Sequence, residues 1–233
     1  MYGITYNNKH SFNDLGLTVL NTRVIETPNK IKITETIPFM NGSYDFSNLY
    51  GSNCYTERQL EYEFLIKSNN STELEYQRIK IENWLLSSNT KTPLIDDNII
   101  GYYYNAECIG VEFEDMNNTG KLKAIFIAYP FRISTECEGN NLWDSFNFEL
   151  DVLQDTKFTV SGVSNVSIYN SSVIDIEPEI IVSSQFEITL DNKKYTVEAG
   201  TSKDYRFKLR KGINNLTLKG NGTIEFRFRK EVL

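Results

Sequence analysis

From residue 146 onward, apolar side chains recur at every second position in run after run. Phe146, Phe148 and Leu150 form one such run, and Phe186, Ile188 and Leu190 another. Tyr195 with Val197, then Tyr205, Phe207 and Leu209, then Ile224, Phe226 and Phe228 continue the pattern. A period of two puts alternate side chains on opposite faces, so these segments read as strands with one buried and one wet face. Turn signals at Asp191-Asn192, Ala199-Gly200, Lys211-Gly212 and Gly220-Asn221-Gly222 separate them. Short strands at regular spacing with one wet face predict an antiparallel β-sandwich.

The first 135 residues read as strands around one helix. Strands are expected near Thr18–Asn21, Lys30–Ile37, Gln59–Lys67, Gly101–Cys108, Gly110–Glu114 and Leu122–Tyr129. Leu60, Tyr62 and Phe64 alternate cleanly with charged residues. Ser71 or Thr72 is positioned to cap a helix running to about Ser88, with Glu73 and Glu75 in its first turn. Leu74, Ile81, Trp84 and Leu85 share one face of that helix, whereas Tyr76, Ile79 and Leu86 fall on the other. One sheet covers one stripe, so the second needs a loop or a neighbouring subunit. The polar stretch 136–145 (ECEGNNLWDS) is the best linker, dividing the chain into domains 1–135 and 136–233.

The segment Ile31–Gly51 breaks the pattern of polar connections. It opens as a strand, stops at Pro38, and then presents Phe39, Tyr44, Phe46 and Tyr50 around Gly42. Connections are normally polar because their backbone stays hydrated and their side chains fill no core. An aromatic connection therefore either folds back on its own domain or docks on another.

Aromatics at 13% and hydrophobics at 40% mark a globular chain. No basic, apolar leader follows Met1, and Ala124–Ala128 is too short to span a bilayer before Pro130, so a soluble protein made without export is expected. Cys54, Cys108 and Cys137 are too few and scattered for a disulfide framework and read as buried thiols. The net charge of −7 is unevenly spread, with −5 over 1–136, −8 over 137–190 and +6 over 191–233. An acidic balance argues against a general nucleic-acid binder. The basic end reads as cations on the wet faces of strands.

Catalytic devices are hard to assemble from these residues. His10 is the only histidine, placed in the turn Asn8-Lys9-His10-Ser11 of an N-terminal hairpin, which leaves hydrolase triads and histidine metal sites without material. The carboxylate pairs Asp96/Asp97, Glu112/Glu114 and Glu177/Glu179 read as solvated charges in turns, on a wet strand face and on an edge or loop. No phosphate or dinucleotide loop is present, and no catalytic residue, metal or cofactor is expected. Trp143 on a β-sandwich is the one candidate for stacking a sugar ring, the basis of an alternative role as a carbohydrate-binding tail module.

The run from Ile37 to Ser47 (IPFMNGSYDFS), the opening Gly3–Ser11 with Leu15-Gly16-Leu17, and the closing Lys211–Leu216 and Ile224–Arg229 resemble the Dit family of siphophage distal tail proteins. The resemblance implies a mainly β, two-domain protein. Its N-terminal domain would be a β-sandwich or split barrel with one helix and a hairpin, and its C-terminal domain a galectin-like sandwich. It further implies a homohexameric ring at the virion tail tip, between the tail tube and the tail-tip or baseplate proteins, in possible reach of receptor-binding proteins. DNA would only pass through its lumen, where an acidic lining keeps a duplex from sticking. On that footing the candidate subunit contacts are Pro38, Phe39, Gly42, Tyr44, Asp45, Phe46 and Tyr50, with Arg58 for polar specificity and Tyr76 and Ile79 on the helix.

Overall fold

The structure, a computed structural model, describes residues 2–47, 49, 53–116, 119–140 and 147–233. By its contacts the chain divides into two units, one up to Ile133 together with Leu233, the other Ser134–Val232. It is mainly β, with antiparallel sheets and one helix among the described residues.

The first unit begins with β1 (Ile4–Tyr6), β2 (Lys9–His10), β3 (Thr18–Val19), β4 (Val24–Ile25), β5 (Thr34–Glu35) and β6 (Tyr44–Asp45). β7 (Arg58–Lys67), helix α1 (Ser71–Leu86), β8 (Thr92–Asp96), β9 (Tyr102–Met116) and β10 (Thr119–Ala128) follow. The main sheet runs β2-β1-β8-β9-β10-β7-β3, with β4 also on β7. Strict alternation along β7 and β10 sends Leu60, Tyr62, Phe64, Leu122, Ala124 and Phe126 inward. The buried helix face, Leu74, Ile81, Trp84 and Leu85, closes that core, and Trp84 donates its indole N–H to the Tyr6 carbonyl at 2.7 Å.

Several local expectations shift. The N-terminal turn is Asn7-Asn8, both at positive φ, and Lys9 and His10 belong to the returning strand. Asn70 caps the helix by accepting from the Glu73 N–H at 2.9 Å, one residue before the expected cap. The two strands expected around Gly110 are one. Opposite Ile125 and Phe126 lie Gly110 and Cys108, so Ile109 is the extra residue of a bulge and the strand continues through it.

In the second unit β11 (Arg132–Cys137), which crosses the division, precedes β12 (Lys157–Asn170), β13 (Glu179–Val182) and β14 (Phe186–Leu190). β15 (Lys193–Val197), β16 (Gly200–Ser202), β17 (Gly212–Arg227) and β18 (Arg229–Val232) complete it. Glu136 and Cys137, read as linker, are thus strand residues, while 141–145 lie outside the described residues. The sheet order is β15-β14-β17-β13-β16, and β12 also pairs with β17. A strand has two edges, and β17 uses both. β12 covers one edge over its whole length, while β14 takes Leu216–Gly220 and β13 takes Ile224–Arg227 on the other. Gly220-Asn221-Gly222 is therefore no turn but the place where that edge changes partner. Asp191-Asn192 is the expected tight turn, both residues at positive φ between β14 and β15. Phe148 and Leu150 stand exposed in a turn, and Tyr205–Leu209 forms no named strand, its one bridge being Ile176–Leu209 among the described residues. β13 is interior to its sheet, but Glu179 pairs only with Arg227 of β17, since β16 takes up β13 from Ile180 onward.

Candidate functional site: an exposed aromatic hairpin

Between β4 and β7 the chain leaves the sheet. Its root is held by main-chain bonds, Ile31 N–H to the Cys54 carbonyl and Thr56 N–H to the Asn29 carbonyl, both 2.9 Å. Further out, β5 and β6 pair Thr34 with Asp45 and Glu35 with Tyr44, and the Phe46 N–H reaches the Ile33 carbonyl at 2.8 Å. Asp45 fixes the return strand. It accepts from the Ser47 N–H at 2.9 Å and from the Lys32 ammonium at 2.6 Å, and the Lys32 hydrogen bond holds its carboxyl well below the usual carboxylate range. Gly42 at φ +90 turns the tip without steric cost.

No described residue from Ile31 to Leu49 is buried, and none joins the core. Ile31, Ile33, Ile37, Phe39, Tyr44, Phe46 and Leu49 all face outward, Phe39 at 109% exposure. Phe39 also holds φ +68, a left-handed backbone that a bulky residue adopts only under strain. Tyr44 and Phe46 lie side by side, ring centres 6.2 Å apart. A two-stranded ribbon with apolar residues on both faces buries too little to stabilise itself in water. On α1, Tyr76 and Ile79 are exposed as the second stripe requires, at 65% and 51%. Pro38 sits in the exposed tip, whereas Tyr50 and Trp143 lie outside the described residues.

Arg58 is not a surface group. It is 1% exposed, with its guanidinium 5.5 Å from the centre of the Tyr104 ring. Its Nε and Nη2 find no partner among the described residues, and burial, then the nearby Arg132 charge, lowers its pKa. Carrying the Leu60, Tyr62, Phe64 alternation two residues back places Arg58 on the inner face, the signal that reading it as a contact residue passed over.

The remaining chemistry is structural. His10 accepts at Nδ1 from the Phe12 and Asn13 N–H groups, which leaves Nε2–H to donate to Asp97 at 3.0 Å and locks the loop. Asp96 is buried rather than solvated. It accepts from Arg23 at 2.7 Å and from the Tyr62 hydroxyl at 3.0 Å, and burial followed by the Asp96 charge pushes the Tyr62 pKa up. Glu112 and Glu114 are exposed on β9 as expected. Cys108 is buried, its thiol pushed up to about 11 by burial, whereas Cys54 is exposed, against expectation. Among the described residues no cluster of three metal-ligating side chains occurs, and no helix is long and apolar enough to cross a membrane.

The phage tail protein RIFT-related domain family matches residues 10–128, which is 119 of the 233 residues. The chain belongs to this family. Its phage-tail domain therefore takes in β3 to β10 and with them the aromatic hairpin and the helix. The crystal structure of the SPP1 Dit protein (gp 19.1), described as a paradigm of the hub adsorption apparatus in Gram-positive infecting phages, superposes with a TM-score of 0.65 at 13% identity, covering all of both chains. Chains of the phage P2 baseplate in its activated conformation, with Ca and with Sr, align at TM-score 0.40 and 10% identity, covering 98% of this chain and 97% of theirs. No curated protein sequence matches the chain. The SPP1 likeness establishes that this phage-tail domain and the β-rich unit after it follow a Dit fold.

Proposed function

We propose that this phage tail protein is a distal tail hub, six copies of which close a ring at the tail tip between the tail tube and the tail-tip or baseplate proteins. The role is architectural rather than enzymatic. The observation that carries it is the hairpin from Ile31 to Ser47, which displays Phe39, Tyr44 and Phe46 with no core of its own to fill. Rings form when a heterologous interface closes on itself, and aromatic anchors are the residues such interfaces use. Phe39, Tyr44 and Phe46 dock on the neighbouring copy, Pro38 and Gly42 shape the tip, and Asp45 keeps the two strands in register. Tyr76 and Ile79 supply a second patch.

Native mass spectrometry or scattering at micromolar protein tests this and is expected to show a sixfold species. Phe39→Ala and Phe46→Ala should each shift the population toward monomer while leaving monomer unfolding within about 0.5 kcal/mol of the parent, since neither side chain joins the core of its own unit. A monomer that persists under all conditions, or variants that unfold the protomer instead, would overturn the proposal.

A further inference from the structure

A cleft of about 520 Å³ opens in the second unit. Its wall contains Lys193, Lys194, Tyr195, Thr196 and Val197, every residue of β15. Strand side chains alternate between two faces, so a cleft touching all five residues of β15 reaches that strand's backbone, and the buried Ile180, Val197 and Phe207 line it too. Among the described residues β15 pairs only with β14, at the end of its sheet order. Ser202 of β16, the strand that ends the same sheet order on the other side, lines the cleft as well. The two strands that end this sheet order thus both line one slot.

We propose that this slot takes an extended, acidic peptide segment of another protein as an added β-strand. Main-chain pairing along an open edge supplies affinity, and alternate side chains supply selectivity. Charge names the partner. Of the cations that line the cleft, Lys194 pairs with Glu187 and Arg206 with Asp204, so Lys193, with no ion pair among the described residues, is the charge left for a partner. Lysines on an edge repel a second copy of that edge, which disfavours self-pairing and leaves an acidic strand as the complement. The wall is built in advance. The Tyr195 ring meets Phe207 edge-on at 5.0 Å, and its hydroxyl donates to the Arg206 carbonyl at 3.1 Å. The inference goes beyond the ring reading and does not rest on it.

The full chain is titrated with a fluorescein-labelled octapeptide of alternating Glu and Val, followed by polarisation. The same peptide N-methylated at alternate amides serves as one control and a Lys-Val octapeptide as another. Saturable binding of the Glu-Val peptide is expected, weakened at least ~tenfold by N-methylation, which keeps the charge but removes the strand edge, and by Lys193→Glu. The Lys-Val peptide should not saturate. Equal binding of the N-methylated peptide would mean charge attraction alone, unchanged affinity of Lys193→Glu would place the peptide elsewhere, and absence of saturation at millimolar peptide would mean a closed edge. Each of these overturns the proposal.

Discussion

Arg58 opens β7 on the same face as Leu60, Tyr62 and Phe64, so the alternation that builds the core also carries a cation into it. A buried charge without a counter-ion costs more than the packing its stem supplies. Arg58→Met is therefore expected to raise the folding stability of the first unit by about 1–3 kcal/mol, measured as a higher thermal midpoint. A fall of that size would mean an anion or ordered water satisfies it. Glu138 presents the acidic counterpart. Burial raises its pKa although Gln154 donates to it at 2.9 Å. The folded chain then keeps a proton that the unfolded chain releases, so stability falls as pH rises through the window just above the usual Glu range. Glu138→Gln keeps the hydrogen bond and should flatten that fall, gaining on the order of 1 kcal/mol at pH 7.5 and little at pH 4, read from urea midpoints. The environments of Glu138 and Asp96 were not legible from composition, because contacts with residues far along the chain enclose them. Arg58 was legible through its neighbours' alternation.

At the scale of elements, periodicity located β7, β10, β14 and the helix, because each carries its pattern within a few consecutive residues. It misread glycines, because a glycine marks backbone freedom without saying what that freedom serves. Gly110 is absorbed in a bulge, and Gly220-Asn221-Gly222 lies mid-strand where β17 changes partner. Gly222 holds φ +138, and a Cβ there would come within 2.3 Å of the Ser183 hydroxyl oxygen. Gly222→Val should destabilise the second unit by about 2 kcal/mol or more, whereas Gly162→Ala, at φ +82 in open space, should cost about 1 kcal/mol. Urea midpoints compare the two, and equal losses would show that the Ser183 approach is not what requires glycine. The hairpin's exposure was only half legible, since an aromatic connection can fold back or dock and the residues alone left both open. The structure turns Phe39, Tyr44 and Phe46 outward.

For the molecule as a whole, the sequence resemblance reached the family. What it could not reach was how the second unit is knitted. β12 pairs with β17 from Lys157–Glu225 to Asn170–Gly212, and β13 and β14 find their common partner in that same strand. A chain ending at Lys211 would leave β12 without its partner and strip β13 and β14 of one edge. Such a truncation is expected to aggregate while its first unit still unfolds cooperatively in calorimetry, and a monodisperse truncated chain would count against this account of the unit. During synthesis the same dependence sets a timetable. β12 and β13 leave the ribosome without the long partner strand β17, and β14 with β15 alone, so protection of those nascent strands falls to chaperones or to speed.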